Sequence, residues 1–488
     1  MRDPDYICTF SDITEGRVEI IVQAPNLKDP VVEAIVVDDS QLLQRQSSEL
    51  SSVVADLIDI AIAVHVADRL ILTRDKRILY RLLRLPLRNP DFFQRTEIVD
   101  LLSKTLDWFT GETWAFEFVS RQKDGRRAEL QMRIPEAYRP TEVALWSGGL
   151  DALAGLYNRI SGQREKHFTL FSSTNGNCYM KKIQKDTYES IKNIHGAVTH
   201  KQISLRICQK DQVTKKNFVS RTRGFVFLLF GIITAHLEGQ NKLYLYENGI
   251  GAINLPFRES AFSSDQSRAV HPISLYYMGD LVSKIFEETF SIINPFLFRT
   301  KAQMLQELIT DQVEYLIKPT VSCDRRSRLK IITPKYNINS TIGRSFDLPL
   351  PQINYTQCGR CSSCLLRRQA LLAQGIYIQD YVLPFKRRQE QAIRTPDGDY
   401  YRAMTYQVNR MRACLQTADP WDHLTNEYPD LASIARWRAV RENTTRTEVA
   451  TNLTELYRNY VAEWDISGLQ EQLAQGLLTE KELHILTT

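Results

Sequence analysis

The hydrophobic pattern changes rhythm twice along the chain. In the first stretch, Arg17–Val22 alternates with the period of two expected of a half-buried strand, and Val53–Ile71 carries apolar residues at helical spacing. Trp114–Phe118 and Ala128–Ile134 are strand-like on either side of the turn Lys123-Asp124-Gly125, so the pattern predicts a hairpin. Pro135 and Pro140 then punctuate the chain. From Thr141 short buried strands alternate with helices. Strands are predicted at Val143–Trp146, Phe168–Phe171, Gln202–Ile207 and Leu243–Tyr246, and helices at Ala152–Ile160, Glu189–Ile194 and Phe225–Leu237. This alternation implies a parallel sheet with helices on both faces and a ligand site beyond the carboxyl ends of the strands. After about Tyr381 the chain turns polar and helical, with helices predicted at Tyr401–Leu415, Leu431–Arg441 and Thr447–Trp464. The expected organisation is an N-terminal α+β accessory domain over 1–140, an α/β domain with a parallel sheet over 141–385, and a helical C-terminal extension over 386–488.

Composition narrows the class. The chain has 488 residues, 43 % of them hydrophobic and 24 % charged, enough to bury a sizeable core without disulfide staples. A net charge of +5 is too small to argue for nucleic acid by itself. Basic groups cluster at Arg325, Arg326, Arg328 and Lys330, and at Lys386, Arg387 and Arg388; with Arg367 and Arg368 they read as a solvated face, with RNA or an acidic partner as the other reading. The longest apolar run, Gly224–Leu237, is shorter than the ~20 residues of a membrane helix. Met1–Asp5 lacks a signal-peptide pattern, so a cytoplasmic location is expected.

Two motifs carry chemistry. Ser147-Gly148-Gly149-Leu150-Asp151-Ala152 falls between a buried strand and a helix. Its glycines allow a sharp turn that brings backbone N–H groups to an anion, and the helix points its positive end at the same place. Ser147 is placed to donate to a phosphate oxygen, and Asp151 either to hold Mg²⁺ or to cap the helix. The loop is neither a Walker loop nor a GxGxxG turn. The second motif is Cys358-Gly359-Arg360-Cys361-Ser362-Ser363-Cys364, whose thiolates fit three corners of a zinc tetrahedron, with Cys323 as the candidate fourth ligand. Four thiolates leave no open position, so a structural Zn²⁺ is expected, with an iron–sulfur cluster as the rival.

Ser-Gly-Gly-Leu-Asp resembles the PP-loop of the N-type ATP pyrophosphatases, although Ala152 stands where that motif continues with Ser. Together with Ser322-Cys323, the cysteine run and Leu365-Leu366-Arg367, the loop is similar to the 7-cyano-7-deazaguanine synthase (QueC) family from about Val143 to Leu372. The resemblance implies a HUP/PP-loop nucleotide-binding domain that uses ATP and Mg²⁺ to adenylate a 7-deazaguanine carboxylate before amine attack. It places Lys301 and Arg223 on the phosphate side. Topology alone puts Ser172, Ser173 and Asn175 where adenine would be read.

The chain departs from that family in residues 1–140, in its helical tail, and in having Glu247–Phe257 where a Tyr-Pro-Asp-Cys-Arg-like stretch is usual. That shape resembles the extended QueC-like proteins of bacterial anti-phage operons, the QatC type. For those the resemblance implies conjugation to a protein amine, with residues 1–140 helping to bind a co-encoded acceptor. Asn248 and Asn254 are candidates for a base edge or plain turn residues, and Arg268 and His271 for a carboxylate or phosphate, or a loop role. The alternatives are a nitrile synthase using ammonia, a PP-loop RNA-modifying enzyme for which Cys178 is the thiol to check, and a zinc-bearing subunit that only senses ATP.

Overall fold

In the computed structural model, residues 3–13, 18–24, 29–38, 50–69, 79–123, 125, 129, 141–163, 165–174, 177–208, 221–257, 268–323, 357–377 and 399–474 are described. Apart from Glu129, the expected strand Ala128–Ile134 lies outside them, as do Pro135, Pro140, Asn175 and the clusters Arg325–Lys330 and Lys386–Arg388.

The strands are β1 (Tyr6–Phe10), β2 (Val18–Gln23), β3 (Val31–Asp38), β4 (Tyr80–Leu87), β5 (Thr113–Ser120), β6 (Thr141–Leu145), β7 (His167–Thr174), β8 (Val198–Cys208), β9 (Lys242–Tyr244) and β10 (Ser291–Ile293). They form one sheet in the order β10-β9-β6-β7-β8-β3-β2-β1-β4-β5. From β10 to β8 every pair is parallel. The chain enters this half at β6, moves outward through β7 and β8, then returns to β9 on the other side of β6. The order therefore reverses between β6 and β9, and at such a reversal the loops leaving two adjacent strands turn apart and open a crevice at the carboxyl ends.

The helices used below are α1 (Ser52–Arg69), α2 (Thr96–Thr110), α3 (Leu150–Gly162), α4 (Cys178–Lys192), α5 (Arg223–Leu237), α6 (Gly249–Ile253), α7 (Pro272–Phe286), α8 (Lys301–Met304), α9 (Ser362–Ala373), α10 (Asp399–Leu415), α11 (Pro420–Glu427), α12 (Pro429–Arg441) and α13 (Arg446–Ala474). All five residues of β6 are buried. Val143 and Leu145 pack with α5 on one face, and Ala144 packs with α3 on the other. The continuous apolar run is thus what a parallel strand covered on both sides requires.

The sheet does not stop at residue 140: β3 pairs antiparallel with β8. β2 is antiparallel to both β1 and β3, while β4 is parallel to β1 and β5. Trp114–Phe118 lies in β5, paired with β4 rather than with any described hairpin partner. Helix α1 is buried from Val54 to Asp68. Its carboxylates are answered: Asp56 accepts the Arg88 and Asn89 N–H groups at 2.8 and 2.9 Å, and Asp59 pairs with Arg88 at 2.7 Å. Asp68 accepts the N–H and hydroxyl of Thr222 at 3.0 and 2.8 Å, which ties α1 to the head of α5. Helices α10–α13 share one apolar cluster with α6 and α7. No helix of the described residues is long and apolar enough to cross a membrane.

Candidate functional site

The loop Ser147–Asp151 leaves β6 at the crevice. Trp146 is fully buried and sets where the turn begins. Its backbone N–H donates to the Phe171 carbonyl at 2.7 Å, and its indole N–H to the Gln184 carbonyl at 3.0 Å. Gly148 then adopts φ +73°. A Cβ there would stand 3.1 Å from both Gln184 Cα and Ile183 Cγ2, so glycine is required by conformation and by space. Gly149 precedes α3 with φ −85° and ψ 172°, and no side chain caps that helix end. Ser147 Oγ accepts the Gly149 N–H at 3.1 Å, leaving its own proton to donate. The leading N–H groups of a helix have no intrahelical partner and carry partial positive charge, so this uncapped start is suited to an anion.

Asp151 sits in the first turn of α3 and is buried. One carboxylate oxygen accepts from Asn248 Nδ2 at 3.1 Å, and the other pairs with the Lys301 ammonium group. Lys301 opens α8 behind a capping box: Thr300 Oγ1 accepts the Gln303 N–H at 3.1 Å, and Gln303 Oε1 accepts the Thr300 N–H at 2.9 Å. Asn248 is fully buried; its Oδ1 caps α6 through the Gly251 N–H at 2.9 Å, and its amide also donates to Glu247 Oε1 at 3.2 Å. One amide therefore bridges two carboxylates, one following β6 and one following β9. Asn294 Nδ2 holds the Glu247 carbonyl at 2.9 Å. The crevice offers N–H donors and an ammonium group to an anion, and carboxylates to a cation.

Behind the loop lie four buried cysteines. The sulfurs of Cys323, Cys358, Cys361 and Cys364 all fall within 4.8 Å of one another, and those of Cys358 and Cys364 are 3.7 Å apart. A disulfide needs about 2.05 Å. Thiolates at about 2.3 Å around a tetrahedral ion stand roughly 3.8 Å apart. The donor set therefore fits a metal ion such as zinc. Gly359, at φ +73°, turns the loop so that the Arg360 N–H points at Cys358 Sγ, 3.4 Å away. Cys361 precedes α9 and Cys364 lies in its first turn. The cysteines pack with Met180, Ile183 and Val321. Val321 in turn donates its N–H to the Gly148 carbonyl at 3.2 Å, so cysteine knuckle and glycine loop share a wall. Arg367 is buried on α9 and donates to Thr320 Oγ1 at 2.7 Å and the Ile317 carbonyl at 3.2 Å, pinning the segment that leads to Cys323.

Other expected residues are placed elsewhere or already engaged. Ser172 Oγ donates to the Trp146 carbonyl at 2.7 Å and lies 2.8 Å from His200 Nε2, whose pKa burial pushes down to about 4. It serves as a tie between strands. Arg223 is exposed at the head of α5. Its charge adds to burial and to Arg69 in pushing His65 down to about 4, which places it on the α1 side of that helix. Asn254 ends α6 at φ +48° and donates its N–H to the Ile250 carbonyl at 3.0 Å. Arg268 lies over the Trp108 ring at 4.2 Å and donates to the Trp108 carbonyl at 2.8 Å. His271 caps α7, accepting the Ile273 N–H at 3.3 Å; burial, then Arg268, pushes its pKa down to about 3. Their hydrogen-bond and ring partners lie on α2 and α7, and Arg268 also feels Asp430 of α12, so this pair works as a joint between helices. Cys178 is exposed at the start of α4.

Sequence reasoning passed over Glu247. Its signal was a carboxylate immediately after a buried strand, beside an asparagine already singled out. It also passed over the link between Thr300 and Glu463 of α13, for which no local signal exists. No family model matches the chain, and no curated protein matches it.

Proposed function

We propose that this protein is an ATP-dependent ligase of the PP-loop type that adenylates a 7-deazaguanine carboxylate and transfers the acyl group to an amine. The observation that carries the reading is the start of α3: an uncapped helix end, entered through a left-handed glycine, at the point where the strand order reverses. In this reading the HUP-type nucleotide-binding fold is the parallel half of the sheet. The triphosphate lies on the N–H groups of Leu150 and Asp151, with Ser147 and Lys301 donating to phosphate oxygens. The substrate carboxylate oxygen attacks the α-phosphorus, forming the acyl–AMP mixed anhydride and breaking the bond to pyrophosphate. The amine nitrogen then attacks the acyl carbon, AMP leaves, and the amine gives up a proton.

Asp151 is the residue that would hold Mg²⁺, which supplies neutralising charge for the leaving pyrophosphate. To do so Asp151 exchanges its Lys301 contact, freeing the ammonium group for phosphate. Glu247, held by Asn248 on the β9 side of the crevice, is the group that would meet the edge of the deazaguanine base. The cysteine knuckle holds structural zinc and braces the loop through Val321.

The likeness of these motifs to the QueC family supports the substrate class. The added N-terminal strands and C-terminal helices support a protein amine, in a cytoplasmic anti-phage system, over ammonia. Purified protein given ATP, Mg²⁺, 7-carboxy-7-deazaguanine and an amine should release pyrophosphate, and Asp151→Ala should reduce the rate at least a hundredfold. Full activity in that variant would show that the loop has been misassigned. Mass spectrometry of the product with ammonia or with a co-encoded protein separates nitrile synthesis from protein conjugation.

A further inference from the structure

The C-terminal helices make a polar contact with the helix that Lys301 opens. Glu463 projects from α13, and its carboxylate accepts the Thr300 hydroxyl while its other oxygen lies 3.4 Å from Gln369 Nε2 on α9. Thr300 is the cap of the short helix that Lys301 opens, and its hydroxyl oxygen also accepts the Gln303 N–H. A carboxylate, a hydroxyl and a backbone N–H thus run in series, and the hydroxyl stands on the residue next to Lys301, whose ammonium group pairs with Asp151. Burial makes this carboxyl reluctant to ionise, raising its pKa to about 7 against the help of Thr300 and Gln369. A group held at that cost, between the helix carrying Lys301 and the helix carrying Cys364, has a use beyond filling space.

A second contact from the same unit gives a comparison. Gln407 of α10 donates to the carbonyls of Leu255 and Pro256 at 3.2 and 3.0 Å, just past the end of α6. It belongs to the same C-terminal helices but touches neither Thr300 nor Lys301 in its described bonds.

We infer that Glu463 is a positioning residue: through Thr300 it sets the placement of Lys301 against Asp151, so the C-terminal helical unit completes the nucleotide side of the site in cis. The catalytic meaning of this inference rests on the adenylation reading; the placement itself does not. The test therefore begins without nucleotide. Lys301 is 5 % exposed and ion-paired, so an amine-acylating reagent labels it slowly. Labelling is followed site by site by mass spectrometry at pH 8 in wild type, Glu463→Gln, Thr300→Val and Gln407→Met.

Losing a charged acceptor loosens the cap by about a factor of ten. Lys301 labelling is accordingly expected to rise about tenfold in Glu463→Gln and in Thr300→Val, with no further rise when the two are combined. Gln407→Met leaves it unchanged. Equal labelling in wild type and both cap variants, or an equal rise in Gln407→Met, overturns the inference. In the pyrophosphate assay Glu463→Gln lowers kcat severalfold with KM for ATP little changed, whereas general loosening of the helices moves both constants in all variants. If labelling changes as stated but wild type releases no pyrophosphate, the placement stands and the adenylation reading falls.

Discussion

At the scale of residues, Gly148 is the most demanding position in the loop. It needs both a left-handed backbone and the absence of a Cβ, with Gln184 and Ile183 standing at 3.1 Å. Gly148→Ala is expected to cost about 1–2 kcal/mol in denaturant unfolding and to weaken nucleotide binding more than tenfold, because the displaced turn no longer aims the α3 N–H groups. Glu463 gives a prediction of opposite character. Its carboxyl ordinarily titrates at 4.5 and is raised to about 7 in the fold, so between those values the folded protein holds a proton that the unfolded chain has lost. Stability therefore falls as pH rises through that window, by roughly 2–3 kcal/mol, and levels off above it. Glu463→Gln should flatten that slope in melts taken from pH 5 to 8. Asp151, Cys358, Cys361 and Cys364 were legible as candidates because each lies in a short run whose spacing is itself the signal, whereas Cys323 stands outside the run and could only be offered as its fourth member. Glu463 was not: its partner Thr300 stands 163 residues away, and nothing near it in sequence marks it.

At the scale of elements, the cysteine knuckle and the loop form one mechanical unit joined by the Val321 to Gly148 hydrogen bond and by Ile183, which touches both. Cys361→Ser is expected to lose one equivalent of bound metal, measured by elemental analysis, and to lower the melting temperature. Prolonged chelation of wild type should do the same and reduce nucleotide affinity with it. Retention of a full metal equivalent by the variant would contradict the four-thiolate assignment. Strands β6 and β7 and helix α5 were readable from apolar runs alone, since a sheet buried on both faces writes a continuous signal. Strand β4 was not, because Tyr-Arg-Leu-Leu-Arg-Leu-Pro-Leu carries arginines three apart, the spacing of a helix face. The structure accounts for them by pairing: Arg81 with Glu112, and Arg84 with Glu117 at 2.7 Å. Helix α2 was also missed, though its Trp108 joins Arg268 and His271.

At the scale of the molecule, the N-terminal strands continue the same sheet as the candidate site. β3 covers the edge of β8, and α1 lies against α5 with Asp68 holding its head. A chain lacking residues 1–140 would expose a strand edge and an apolar helix face together, and is expected to aggregate on expression rather than retain nucleotide binding. Recovery of a monodisperse, metal-loaded fragment would count against this dependence. Local pattern could not disclose the continuity, because pairing such as Ala34 with Cys208 and Asp38 with Ser204 leaves no trace in the spacing of either strand. The central claim concerns the oxygen that attacks the α-phosphorus. The direct measurement supplies 7-carboxy-7-deazaguanine labelled with heavy oxygen in its carboxylate, with ATP, Mg²⁺ and an amine, and weighs the AMP released. The account predicts AMP carrying one heavy oxygen from the acid; amide formed with unlabelled AMP, or with ADP and phosphate as products, would contradict it.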